Sequence, residues 1–270
     1  MKIDAAFVTK ILCGFIREEL HKFGYKKGLL GLSGGLDSSV CATLAARALG
    51  PKNVVGAILP YKNSFRLDVR HARRLAERLG IRYLVIDISP MIDAYFSRYP
   101  TDNNIRIGNK MARERMSILY DLSVIEKALI LGTSNKTELL IGYGTIHGDM
   151  ACAINPLGDL YKTQIYALAA YLKVPATIRK KKPTAGLWPG QTDEGEIGLT
   201  YEEIDTILFE LVDGRKSVED LVRAGFSRQN VERIAGMIRN SEFKRKMPPI
   251  AKISGRTVGH DFLYSYDRNR

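Results

Sequence analysis

The stretch Gly28-Leu29-Leu30-Gly31-Leu32-Ser33-Gly34-Gly35-Leu36-Asp37-Ser38-Ser39 decides the fold. A short apolar run, Gly28 to Leu32, ends in a glycine-rich turn, and Ser38 to Leu49 continues as an Ala/Leu helix closed by Gly50 and Pro51. A strand feeding a helix in this way gathers backbone N–H groups and the positive helix end at one point, which binds phosphate. The turn is not a Walker A loop, since it lacks a GKS or GKT ending, nor is it GxGxxG. An aspartate, Asp37, sits inside the anion-binding turn. That makes electrostatic sense when a cation such as Mg²⁺ bridges it to the phosphates. A plain helix cap needs fewer of these features.

Outward from this unit, strand and helix keep alternating. Asn53 to Leu59 reads as a strand stopped by Pro60, Leu67 to Leu79 as an amphipathic helix stopped by Gly80, and Ile81 to Ile88 as a third strand. Arg113 to Lys127 reads as a helix, and Ala128 to Leu131 as a fourth strand ending in a Gly-Thr-Ser turn. Helices of this length between strands predict right-handed crossovers, hence an α/β fold with a Rossmann-like parallel sheet covered on both faces. The second half is richer in Gly, Pro, Thr and Asp, with helices expected at 162–172, 201–211, 218–224 and 229–239 as a helical C-terminal extension. Residues 142–158 and 179–199 are long enough to be lids.

Composition narrows the class. The 270 residues carry 41 Lys+Arg against 29 Asp+Glu, a net charge of +12, with 45% apolar and 26% charged residues. That is a globular composition, neither disordered nor fibrous. Cys13, Cys41 and Cys152 are scattered without a CxxC pair, which disfavours zinc, iron–sulfur and disulfide frameworks and points to a reducing cytoplasm. No run reaches the roughly 20 apolar residues of a membrane span, and Lys2, Asp4, Lys10 and Arg17 break any signal-peptide core. The N-terminus reads as an amphipathic helix over 3–23, with Phe7, Ile11, Phe15 and Leu20 on its apolar face. Residues 221–270 hold 11 Lys/Arg and 4 Asp/Glu, more than half of the charge excess.

The string Ser33-Gly34-Gly35-Leu36-Asp37-Ser38 resembles the SGGxDS signature of the N-type ATP pyrophosphatases, whose fold is of the adenine nucleotide alpha hydrolase type. Four further segments are similar to the NAD synthetase family within it. Gly108-Asn109-Lys110-Met111-Ala112-Arg113-Glu114-Arg115-Met116 matches GNxxARxRM, and Leu131 to Glu138 matches the turn GTxxxxE. Asn155-Pro156-Leu157 with Lys162 matches NPLxxLxK, and Lys182-Pro183-Thr184-Ala185-Gly186-Leu187 matches a segment that closes over ribose and phosphates. The resemblance spans residues 31 to about 205 and implies one domain over 1–270, divided into the helix 3–23, a core over 28–175 and a lid with helices over 176–270.

The resemblance implies the chemistry. The family's ammonia-dependent members convert deamido-NAD, ATP and ammonia to NAD, AMP and pyrophosphate through an adenylated carboxylate. Gly31, Leu32, Ser33, Gly34, Gly35, Leu36, Asp37 and Ser38 would hold ATP together with Thr133, Lys162 and Thr184. Asp37 and Glu138 would hold Mg²⁺, Asp37 and Lys162 would be catalytic, and Arg113 would contact deamido-NAD, with Asn109 and Arg115 as secondary candidates. The backbone of Ala57 to Pro60 would border adenine. No nucleophilic triad is required, which fits four histidines in no visible constellation.

The chain also departs from the family. Ala153 stands where many members have an acid, Ile146 where they have a lysine, and Phe243-Lys244 where they have His-Lys. Asp149 is a candidate for part of the lost role. Glutamine-using relatives carry a fused amidase domain of comparable size to this whole chain, so 270 residues favour free ammonia. The family forms homodimers, and neither nucleic acid nor membrane is an expected partner. Two rivals remain, a tRNA-modifying ATP pyrophosphatase and a non-catalytic ATP-binding module. The charge superficially favours the first, although aromatics interleave with basic residues only weakly, at Phe262, Tyr264 and Tyr266.

Overall fold

The computed structural model describes residues 2–62, 66–184, 186, 188 and 190–262. Tyr264 and Tyr266, and Ala185 and Leu187 of the 182–187 segment, lie outside the described residues. The chain runs α1 (Ala5–Lys22), β1 (Lys27–Gly31), α2 (Leu36–Leu49), β2 (Val54–Ile58), α3 (Arg66–Leu79), β3 (Arg82–Val85), α4 (Ser89–Arg98), α5 (Asn104–Glu126) and β4 (Ala128–Ile130). Beyond the sheet come α6 (Lys136–Ile141), α7 (Lys162–Tyr171), α8 (Ala176–Arg179), α9 (Asp193–Ile197), α10 (Tyr201–Leu208), α11 (Val218–Arg223) and α12 (Arg228–Asn240).

All strand pairs are parallel, in the order β3-β2-β1-β4. The chain therefore winds outward from β1 through β2 to β3, then crosses back to place β4 on the other side of β1. This reversal creates a crevice at the carboxyl ends of β1 and β4, where α/β sheets bind ligands. Successive strand residues face opposite ways. Leu30, Val54 and Ile58 join a core with α1, α2, α3 and α7, whereas Leu29, Val55 and Ala57 join a second core with α4 and α5. Both faces are thus covered, as the alternation predicts. A third apolar cluster, centred on Tyr201, Ile204 and Leu208, joins α10 to α11 and α12.

The N-terminal helix forms, capped by Asp4, but its apolar face differs from the expected one. Ile16 and Leu20 are buried with Val8 and Leu12 beside them, while Phe7, Ile11 and Phe15 point outward at 60%, 50% and 37% exposure. The expected set joined residues from two neighbouring stripes, because steps of four and five along a helix leave adjacent stripes hard to separate by spacing. The helix expected from Arg113 begins nine residues earlier, at Asn104, where Asn103 accepts the backbone N–H of Arg106. The short helices α4, α6, α8 and α9 were not expected from the sequence. They are 10, 6, 4 and 5 residues long.

The glycine turn needs its glycine. Gly34 has φ +77°, and a Cβ there would lie 2.2 Å from the carbonyl oxygen of Asp68 in α3. Gly34→Ala is therefore expected to destabilise the protein by about 2 kcal/mol or more, through left-handed backbone strain and displacement of α3. Thermal unfolding checks this, and an unchanged midpoint would contradict the close approach.

Candidate active site

The crevice is a cleft of about 500 Å³. Its floor is the turn after β1. Leu32 N–H donates to the Ala57 carbonyl at 2.8 Å, fixing the turn to β2. Within it the Ser33 and Ser38 hydroxyls lie 2.9 Å apart, and the Ser39 hydroxyl donates to the Gly35 carbonyl at 2.6 Å. Gly35 caps α2 without a side chain of its own, so the first N–H groups of a 14-residue helix face the cleft.

Three side chains from three helices converge above this turn. Asp37 comes from the first turn of α2, Glu138 from the first turn of α6, and Lys162 from the first residue of α7. The Lys162 Nζ donates to Asp37 Oδ2 at 2.6 Å and to Glu138 Oε1 at 3.1 Å. Burial works against the Lys162 ammonium, but the two carboxylates outweigh it and raise its pKa. Burial in the cleft wall pushes the Glu138 carboxyl up to about 7, against the pull of Lys162 and with Asp37 adding to the rise. Asn135 completes the group. Its Nδ2 donates to Asp37 Oδ1 at 3.0 Å, its Oδ1 accepts the Glu138 N–H at 3.0 Å, and its own N–H donates to Glu138 Oε2 at 3.3 Å. Sequence reasoning overlooked Asn135, although the Asn-x-x-Glu spacing is a capping-box signal.

The Glu138 shift gives a stability prediction. Its folded pKa lies above the ordinary 4.5, so the contribution is full below pH 4.5 and is lost as pH rises through about 7. Between pH 5 and 7.5 the ligand-free wild type is expected to lose on the order of 1–3 kcal/mol relative to Glu138→Gln. Parallel pH dependences of the two unfolding midpoints would refute this.

Other expected residues distribute unevenly. Gly31, Leu32, Ser33, Gly35, Leu36, Ser38, Thr133 and Thr184 line the cleft, whereas Gly34 does not line it and packs against Asp68 of α3. The segment Ala57 to Pro60 borders it, and Trp188 lines it as well. Arg113 does not line the cleft of this chain; it is exposed, and its Nε donates to the Ile146 carbonyl at 3.2 Å. Arg115 lines it instead, its Nε donating to the Leu59 carbonyl at 3.0 Å. Two residues apart on α5, these arginines face different directions by helix geometry.

The segment 142–158 is held from several sides. Thr145 donates through its hydroxyl to Asn109 Oδ1 at 2.7 Å and through its N–H to Asp149 Oδ1 at 2.7 Å. Lys244 donates to the Gly142 and Gly144 carbonyls at 2.8 and 2.9 Å, and it also lines the cleft. Neighbouring Arg245 donates to the carbonyls of Leu139, Leu140 and Ile238. Two of the C-terminal cations thus fasten the segment after α6 and the ends of α6 and α12. Phe243 is exposed, and neither Ile146 nor Ala153 lines the cleft, whereas Asp149 does. At α9, Tyr143 donates to Asp193 at 3.1 Å and Glu196 at 2.7 Å, and Tyr201 donates to Asp193 at 2.9 Å. The place of Tyr143, Asp193 and Glu196 at the cleft comes from contacts between distant segments, which local sequence patterns do not reveal.

A glycine-rich turn at the switch point of a parallel sheet, facing two carboxylates and a lysine, defines a Rossmann-like α/β protein with a candidate phosphate site. Residues 8–248 match the NAD synthase family, to which the chain belongs. It is 52% identical to an NH(3)-dependent NAD(+) synthetase of Trichlorobacter lovleyi over 267 residues, covering 99% of this chain and 98% of that one. An NH(3)-dependent NAD(+) synthetase of Fusobacterium nucleatum is 50% identical over 242 residues, covering 90% and 94% of the two chains. Among solved structures, an NMN synthetase from Francisella tularensis superposes with a TM-score of 0.82 at 34% identity over 93% of this chain and 99% of that one. An NH3-dependent NAD synthetase from Campylobacter jejuni gives 0.80 at 37% identity, covering 93% of this chain and all of that one.

Proposed function

We propose that this chain amidates deamido-NAD to NAD with ammonia, converting ATP to AMP and pyrophosphate. The convergence of Asp37, Glu138 and Lys162 over the β1–α2 turn is the observation that carries the reading. A pyridine carboxylate is a poor electrophile, so the first step joins its oxygen to the α-phosphorus of ATP as pyrophosphate leaves. Ammonia then attacks the carbonyl carbon, AMP departs and the nitrogen loses a proton.

The protein's work is positioning and charge neutralisation, the main levers in phosphoryl-type transfer. The N-terminal end of α2 would offer its free N–H groups to the departing pyrophosphate, and Lys162, held protonated, would deliver positive charge beside it. Asp37 and Glu138 fit Mg²⁺, since their oxygens already converge on one cation, the Lys162 ammonium. Carboxylates combined with phosphate oxygens are the usual donor set for that ion. Bound there, the ion would neutralise charge on the phosphates. Thr133 and Thr184 stand where they can contact ATP, and Lys244, Asp149 and Arg115 offer charged groups to the second substrate.

Arg113, outside the cleft of its own chain, fits deamido-NAD binding when a second copy shares the site. Phe7, Ile11 and Phe15 on α1, with Val124 and Ile125 on α5, are exposed apolar residues that suit a homodimer. The three apolar clusters support reading the chain as one catalytic unit. No helix among the described residues is long and apolar enough to cross a membrane, and the cytoplasm is the proposed compartment.

The test supplies Mg-ATP and ammonium with deamido-NAD, and in parallel with the corresponding acid mononucleotide, because one similar structure is named for NMN synthesis. NAD and AMP are expected in equal amounts with deamido-NAD. Absence of AMP with both acids would overturn the reading, and a faster mononucleotide reaction would reassign the substrate.

A further inference from the structure

Two residues flanking the convergent charges share one buried partner. Thr137 immediately precedes Glu138, and Thr163 immediately follows Lys162. Asp205, fully buried on α10, accepts the Thr137 hydroxyl through Oδ1 at 2.5 Å and the Thr163 backbone N–H through Oδ2 at 2.8 Å. The Thr137 hydroxyl oxygen accepts the Lys162 backbone N–H at 2.9 Å. Hydroxyl, carboxylate and two backbone N–H groups therefore close a bracket between the N-termini of α6 and α7.

Two neighbours, one on α10 and one just beyond it, reinforce it. One turn earlier on α10, the Tyr201 ring centre lies 5.1 Å from Lys162 Nζ. Beyond α10 the chain widens into a π-helical turn, Phe209–Asp213. Asp213 accepts Lys136 Nζ at 3.0 Å and the Tyr161 hydroxyl at 2.5 Å, from the residues just before Thr137 and Lys162. Helix α10 and its extension thus hold both reacting segments at two levels.

We infer that Asp205 is a positioning residue which, through the Thr137 hydroxyl and the Thr163 N–H, sets Lys162 relative to Glu138 for the reaction. Asp205 does not itself line the cleft. A buried carboxylate costs free energy unless its lone pairs are satisfied, and here the donors that satisfy it belong to the two segments whose spacing matters. An ångström of misplacement in such a cluster lowers rates on the order of 100-fold. The inference rests on the reading that Lys162 and Glu138 serve the ATP-dependent step.

The experiment compares Thr137→Val, which removes the hydroxyl at nearly constant shape, with Thr137→Ser, which keeps it. Both are assayed with Asp205→Asn and wild type, well below their unfolding midpoints. Thr137→Val and Asp205→Asn are expected to lower kcat on the order of 100-fold while KM for ATP moves less than about 3-fold, and Thr137→Ser to stay within about 3-fold of wild type. A purely structural bracket lowers the unfolding midpoint but leaves kcat of the folded protein unchanged. Wild-type kcat in folded Thr137→Val, or equal impairment of the Val and Ser variants, overturns the inference. If Thr137→Val does not fold, the kcat of Asp205→Asn against Thr137→Ser decides by the same criteria. An inactive wild type, by contrast, removes the functional reading and the inference with it.

Discussion

Asp37→Asn is expected to lower kcat on the order of 1000-fold or more, with the fold intact. The change keeps size and shape but removes the negative charge that meets Lys162 at 2.6 Å. Loss of one preorganised charged contact in a water-poor site costs roughly 100- to 1000-fold. Asp37 makes two such contributions, as a candidate metal ligand and as the anchor of Lys162. An asparagine would also present an NH₂ group either to the Lys162 ammonium or to Asn135 Nδ2, setting donor against donor. Single-turnover release of AMP measures this loss, and a rate within about tenfold of wild type would contradict the bridging role.

Lys162→Met is the second large effect, and it should appear in stability as well as rate. The side chain is 4% exposed and holds two carboxylates that are themselves 17% and 16% exposed. Removing the cation leaves two like charges facing each other, and breaking such a buried pair costs about 3–5 kcal/mol. The penalty applies while both carboxylates are ionised. It should shrink as pH falls, because protonating one of them removes the repulsion. Turnover is expected to drop on the order of 1000-fold, since the positive charge beside the phosphates is gone. Calorimetry at pH 8 and pH 5 tests the stability claim, and an equal loss at both values would refute it.

The legible and illegible parts of the site differ in physical origin. Asp37 was readable because its role depends on neighbours within nine residues, a turn whose glycines and serines encode their own geometry. Glu138 and Lys162 lie 101 and 125 residues from it in the chain. Their roles came from resemblance, and only the winding of the sheet brings them together. Asn135 was signalled locally as a helix cap, but its second bond, to Asp37, was not. The choice between Arg113 and Arg115 turns on the rotation of α5 relative to the cleft, which no motif specifies.

The sequence alone determined the strand-and-helix alternation, the glycine turn and the family, because these depend on local propensity and on residue patterns that survive being read in one dimension. The tertiary structure decided which stripe of α1 is buried, which arginine of α5 meets the cleft, and how Asp205 fastens Thr137 and Thr163. Each is set by packing between segments far apart in the chain, where the energies of burial and hydrogen bonding depend on orientation rather than on neighbouring residues.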